Sequence, residues 1–233
     1  MSWRDRSTCK VYSNVLNLRW RLDISKAPDS AIFQLLEMSR MYQSKDARDH
    51  AIKRLQSRRW SIPPCTLISV SLQYNIKDIF KYAFGILVPL RLHELDHRLL
   101  TPPVWNTVIV VKEQIDHLRR IVACESPVMQ HSKHCRDRKA CNDDWKQVWW
   151  NGMGRYLLDG RNPLPYNEAL EQFQELDYGH VHPDCWRIML DFIKTEKAFR
   201  HEGILIEGTA QELADHLISE PNFDDDNATN TVV

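Results

Sequence analysis

Apolar side chains recur at intervals of three and four residues along almost the whole chain, and no segment alternates as a strand would. Prolines interrupt this pattern at Pro63-Pro64, Pro89 and Pro102-Pro103, where helices are expected to end or begin. Glycine, which tight β-turns require, occurs only seven times in 233 residues. The sequence therefore predicts an all-α protein, an irregular array of about nine or ten helices with no substantial sheet.

The helical pattern stops between Cys124 and Cys141, where the chain becomes polar, basic and rich in Cys and His. We interpret this stretch as the joint between two helical subdomains. The predicted organisation has five segments: a poorly defined N-terminal remnant (1–28), a helical subdomain (29–123), a Cys/His-rich basic linker (124–142), a second helical subdomain (143–218) and a disordered acidic tail (219–233).

The charge balance argues against polyanionic partners. Lys plus Arg and Asp plus Glu both number 31, so the formal net charge is zero. A general binder of nucleic acid or of anionic membranes would carry an excess of basic residues, so neither partner is expected.

The chain shows no targeting or membrane signal. The first ten residues lack the apolar core of a secretory signal, and the longest aliphatic run, residues 108–111, is too short to cross a bilayer. The six cysteines do not form a dense extracellular framework. We therefore expect reduced thiols and a cytoplasmic or nuclear location.

Two local Cys/His pairs are candidate metal ligands. Zinc in proteins is usually held by four thiolate or imidazole groups that are delivered as two local pairs. Cys135 and Cys141 form one such pair, and His182 and Cys185 form the other. The two helices between these pairs would rise roughly 25 Å and return roughly 16 Å, which brings residue 141 near residue 182.

Three interpretations of these residues stay open: a structural zinc ion, ordinary burial of the cysteines, and a redox-linked disulfide. Ordinary burial is favoured by the helical face that Cys185 shares with Met189 and Phe192. We expect His131 and His134 to be solvated loop residues rather than ligands.

An enzymatic role is the weaker alternative. A Cys–His nucleophile needs a thiolate in a preorganised cleft with an orienting third group, which proximity in sequence does not establish. The chain has no phosphate-binding glycine loop, zincin helix motif, nucleophile elbow or kinase signature. We therefore expect a protein that is not an enzyme, with a thiol-dependent redox or hydrolytic enzyme as the alternative.

Two other features suggest binding. The basic residues Lys133, Arg136, Arg138 and Lys139 make a zinc-stabilised nucleic-acid-binding protein the second alternative. Trp149 falls on an apolar helical stripe, whereas Trp150 is one position off it. An exposed Trp150 would be a suitable anchor for a protein partner.

Several short motifs occur in a characteristic order along most of the chain. They are Met38-Ser39-Arg40-Met41-Tyr42, Asp46 to Ile52, Ser71 to Ile76, Lys112 to Val122, His134-Cys135 with Cys141, Asp144-Trp145, Trp149-Trp150, Cys185-Trp186 and Glu202-Gly203. With these motifs the region from about Leu35 to Leu217 resembles the helical region that follows the BTB/POZ domain in fungal, basidiomycete-type BTB-domain proteins.

This resemblance implies a helical, adaptor-like module that engages other proteins. Only about 30 residues precede the helical region, too few for a BTB fold, so we expect that fold to be largely missing here. BTB-type dimerisation and cullin docking are therefore not expected, and the remaining function is partner binding through the helical surface.

Overall fold

The computed structural model describes residues 28–195 and 201–219. No strand occurs within these two ranges, which confirms the predicted all-α class. The described α-helices of nine or more residues are α1 (Asp29–Met41), α2 (Lys45–Arg58), α3 (Pro64–Gln73), α4 (Lys77–Leu87), α5 (Pro102–Cys124), α6 (Arg138–Trp149), α7 (Tyr166–Gln174), α8 (Pro183–Thr195) and α9 (His201–Leu217). None of these helices is both long and apolar enough to cross a membrane.

The chain divides into two compact units. Unit 1 comprises the described residues up to Val104 and from Ala210 onward, and unit 2 comprises Trp105–Thr209. This division differs from the predicted one, because the segment 124–142 lies inside unit 2 rather than between two units. The predicted N-terminal remnant, as far as residue 27, and the predicted disordered tail, from residue 220, lie outside the described residues.

Unit 1 contains two pairs of packed helices, α1 with α2 and α3 with α4. The guanidinium of Arg48 in α2 donates to the carbonyl oxygens of Tyr74 at 2.7 Å and Asn75 at 3.0 Å. These carbonyls lie just past the end of α3, where helix geometry provides no intrahelical donor. Arg48 therefore joins α2 to the end of α3.

Two serines interrupt the apolar stripes of unit 1 without leaving a polar group unsatisfied. Ser39 and Ser71 are both buried, and their hydroxyls donate to the carbonyls of Leu36 and Ile68, each at 2.7 Å. A serine that bonds the carbonyl of the preceding turn can thus occupy a core position at little cost.

Unit 2 is built around four aromatic side chains. Trp145 and Trp149 of α6, Phe173 of α7 and Trp186 of α8 form a cluster with ring centroids 5.1–5.9 Å apart. Two of the indole N–H groups are hydrogen-bonded: Trp145 donates to the carbonyl of Pro127 and Trp149 to the carbonyl of Val122. The aromatic core thus also fixes the end of α5 and the loop that follows it.

A π-helical turn at Trp150–Gly154 continues α6 before a last α-helical turn at Arg155–Leu157. Trp149 is 1% exposed, whereas its neighbour Trp150 is 49% exposed. Gly152 lies inside this turn against α7. A Cβ atom at this position would lie 2.5 Å from a ring carbon of Phe173 and 2.6 Å from a methyl carbon of Leu176.

The crowding at Gly152 gives a stability prediction. We expect Gly152→Ala to destabilise the protein by about 1–3 kcal/mol, because the added methyl overpacks the core. Gly208→Ala in α9 is the matched control, since a Cβ atom added there would have no neighbour within 4 Å. Alanine should stabilise that helix by about 0.5–1 kcal/mol. Thermal unfolding followed by circular dichroism measures both changes, and equal effects of the two substitutions would contradict the packing described here.

Candidate metal centre

Four potential ligand groups meet in unit 2. They belong to His131 and Cys135 in the loop after α5, Cys141 in α6 and Cys185 in α8. One ligand atom from each residue lies within 4.8 Å of the ligand atoms of all the others. The three cysteines are buried and His131 is half-buried.

The two helical cysteines are positioned by the core. Cys141 lies on the face of α6 that also carries Trp145 and Trp149, four and eight residues later. Cys185 lies in the first turn of α8, on the buried face that continues to Met189. Because both helices bury these faces in one aromatic core, the two sulfurs approach each other from different helices.

The two loop ligands are positioned by a tight turn. The backbone N–H of Cys135 donates to the carbonyl of Ser132 at 3.2 Å, and the N–H of His134 donates to the Ser132 hydroxyl at 3.2 Å. This turn directs His131 and Cys135 toward the same point. Beyond it, the Asp137 carboxylate accepts from Ala140 N at 3.0 Å and caps the start of α6.

The two distances from the imidazole nitrogen to the sulfurs of Cys135 and Cys185 fit tetrahedral coordination. Nδ1 of His131 lies 3.6 Å from the sulfur of Cys135 and 3.9 Å from the sulfur of Cys185. Zn–S bonds of about 2.3 Å and Zn–N bonds of about 2.0–2.1 Å would separate such a nitrogen and sulfur by about 3.6 Å. The cluster can therefore hold a metal ion, with Nδ1 as the nitrogen ligand.

Two backbone N–H groups support the sulfurs. Ser132 N donates to the sulfur of Cys185 at 3.2 Å, and the backbone N–H of His182 bonds the sulfur of Cys141. Such donors stabilise the thiolate form that a metal ligand requires. Residues 141 and 182 thus lie close together, as predicted, but the backbone N–H of His182 makes the contact rather than its imidazole.

Without a metal the thiols of Cys141 and Cys135 hold their protons. Burial raises the pKa of Cys141 to about 11, although the N–H of His182 opposes this shift. Burial also raises the pKa of Cys135, and the positive charge of Arg138 opposes that shift. A metal ion must therefore displace these protons, so its affinity should increase as the pH rises.

The structure brings together three of the four predicted ligands, Cys135, Cys141 and Cys185, but not the imidazole of His182. Nδ1 of His182 instead accepts from the N–H of Asp184 at 3.2 Å, at the beginning of α8. His131 takes the fourth place, which corrects the expectation that it is solvated. Three residues separate His131 from Cys135, a spacing within the range common in zinc sites. This spacing is the sequence feature that could have identified the two residues as a pair of ligands.

The remaining thiols lie elsewhere. Cys124 is exposed at the end of α5, and Cys65 is buried in unit 1. All five described cysteines are free thiols, so the disulfide interpretation finds no support among them. His134 is exposed, as expected for a solvated loop residue.

No protein-family model matches the chain, and no match was found among curated proteins or solved structures. The resemblance to the helical region after the BTB fold stays a prediction.

The different roles of the two histidines can be tested by substitution. We expect His131→Asn to weaken Co²⁺ binding by more than the roughly 10–100-fold that loss of an outer-shell partner costs. His182→Asn should bind Co²⁺ nearly as well as the unsubstituted protein, because asparagine can also cap a helix. Titration followed by the visible absorption of Co²⁺ measures both affinities. A larger loss of Co²⁺ affinity in the His182 variant would indicate that His182, not His131, is the ligand.

Proposed function

We propose that this chain is a non-catalytic, adaptor-like module that binds a protein partner and whose unit 2 is held together by a structural zinc ion. The observation that carries this proposal is the convergence of three buried sulfurs and one imidazole nitrogen within 4.8 Å.

The ligand chemistry favours zinc. Three thiolates and one imidazole form a soft, four-membered set, and zinc takes such sets in tetrahedral geometry. Catalytic zinc sites keep one position open for water or substrate, whereas structural sites are filled by four protein ligands. His131, Cys135, Cys141 and Cys185 provide all four. Such a site also suits a reducing compartment, the cytoplasm or the nucleus.

The ion would join distant parts of unit 2. His131, Cys135 and Cys141 lie close together in the sequence, but Cys185 belongs to α8, beyond the whole of α6 and α7. Coordination would therefore close a long loop around the aromatic core. Because such a site does not exist in the unfolded chain, the free energy of metal binding adds to the stability of the fold.

The raised thiol pKa values support a structural rather than a nucleophilic role. A cysteine nucleophile works through a thiolate whose pKa is lowered and which substrate can reach. Burial instead raises the pKa of Cys135 and Cys141. Once a metal ion is bound, all three sulfurs would coordinate it, and none would be free to act as a nucleophile.

Trp150 is the residue we assign to partner binding. It is 49% exposed, while the residue before it is fixed in the aromatic core. A partly exposed tryptophan on a rigid support is typical of the few residues that dominate binding energy at protein interfaces. The resemblance to a region that engages other proteins supports the same assignment.

The zinc proposal predicts one metal ion per chain and a metal-dependent fold of unit 2. Removing zinc with a chelator should lower the melting temperature of the protein. Cys185→Ser should purify with little zinc and melt at a similarly low temperature, because one ligand and the link to α8 are both lost. Metal analysis by mass spectrometry and thermal unfolding measure these effects.

Cys124→Ser is the matched control, since Cys124 is an exposed thiol outside the cluster. It should keep both the zinc and the melting temperature. Purified protein without stoichiometric metal, which takes up no Zn²⁺ on titration under reducing conditions, would contradict the proposal.

The role of Trp150 can be separated from folding. We expect Trp150→Ala to keep a melting temperature near that of the unsubstituted protein but to lose a protein that the unsubstituted chain captures from a cell extract. Trp60→Ala is the control, because Trp60 in unit 1 is 78% exposed. Quantitative mass spectrometry of the captured proteins provides the measurement. Equal capture of the partner by the two variants would show that Trp150 does not contribute to the interface.

A further inference from the structure

The loop that carries the metal ligands also presents a set of cations. Its buried residues are Met129, Ser132 and Cys135, followed by Cys141 in α6. The exposed residues between these positions include four basic ones, Lys133, Arg136, Arg138 and Lys139. The loop therefore turns its metal-binding side inward and its positive charge toward solvent.

These cations have no ionic partner among the described residues. Some basic side chains elsewhere do pair with acids of the same unit, such as Lys77 with Asp215 and Arg119 with Glu202. Lys133, Arg136 and Lys139 make no such pair within the described ranges. Arg138 makes no such pair there either, but its charge acts on the sulfur of Cys135.

The local backbone increases the positive potential. Lys139 lies in the first turn of α6, where the helix dipole is positive and acidic side chains are normally favoured. This turn contains no acidic residue, and the carboxylate of Asp137 is engaged in capping. The arrangement leaves positive charge that an external anion can stabilise.

A groove runs beside the loop. It has a volume of about 620 Å³. Arg136, Asp137 and Asp144 lie on one side and residues 178–183 on the other, and of the basic residues of the loop only Arg136 lines it. Tyr178, Val181 and Pro183 contribute apolar surface to the second wall. The groove can thus receive side chains of an extended peptide while Arg136 contacts a carboxylate.

We propose that Lys133, Arg136 and Lys139, which we call the basic triad, bind the acidic residues of a segment of a protein partner, and that an apolar side chain of the same segment enters the groove beside Arg136. This inference rests on the proposed function, because the metal ion would hold the turn that carries the triad. A protein segment fits better than nucleic acid, since the formal net charge of the chain is zero and the cations are confined to one loop.

A binding experiment with the full, zinc-supplemented chain tests the inference. The probe is a fluorescent twelve-residue peptide of Asp and Glu with one central Phe, and its binding is followed by anisotropy. We expect binding that weakens as salt increases, and a loss of affinity of about tenfold or more when Lys133, Arg136 and Lys139 are all replaced by Glu.

The control variant carries the same change in charge on α2, with Lys45, Lys53 and Arg54 replaced by Glu. It should bind the peptide within about twofold of the unsubstituted chain, because local contacts rather than net charge set the affinity. Equal losses in the two triple variants, no binding of the peptide, or tighter binding of a random DNA duplex than of the peptide would each overturn the inference.

Zinc content, measured on the same samples, separates this inference from the proposed function. Stoichiometric zinc without triad-dependent binding overturns the inference alone. Triad-dependent binding by a chain that holds no zinc supports the basic triad and contradicts the structural zinc ion.

Discussion

We propose that unit 2 depends on the meeting of Cys185 with His131, Cys135 and Cys141. This contact joins the start of α8 to the loop after α5, which lies before α6 and α7 in the chain, and to α6 itself. The three thiols are buried, and burial raises the pKa of both Cys135 and Cys141. A shared metal ion would stabilise buried thiols this close together far more than their weak mutual hydrogen bonds do.

The aromatic core preorganises this contact. Trp145 and Trp149 fix α6, and their indole N–H groups bond the carbonyls of Pro127 and Val122 on either side of the end of α5. The loop therefore begins at a defined place before its ligands turn inward at Ser132. A rigid surrounding of this kind lowers the entropic cost of bringing four ligands to one point. It also gives Trp150 and the exposed cations of the loop a fixed support.

The sequence was sufficient for the helical class and for three members of the Cys/His cluster, Cys135, Cys141 and Cys185, because burial periodicity and thiol chemistry are local properties. The fourth member of the cluster is His131 rather than the predicted His182. Whether His131 or His182 faces the sulfurs depends on the conformation of the backbone next to each histidine. The turn at Ser132 and the capping of α8 by His182 set that conformation, and neither produces a periodic pattern in the sequence. The segment 124–142 was interpreted as a linker because it is polar, yet its few buried residues, including Met129 and Cys135, belong to the core of unit 2.

X-ray absorption at the zinc edge of the zinc-loaded protein tests the central claim most directly, because it reports the atoms bound to the metal. The account predicts three sulfur atoms at about 2.3 Å and one nitrogen atom at about 2.0–2.1 Å, with no water bound to the ion. Coordination by oxygen and nitrogen atoms alone would contradict it, as would coordination by fewer than three sulfurs.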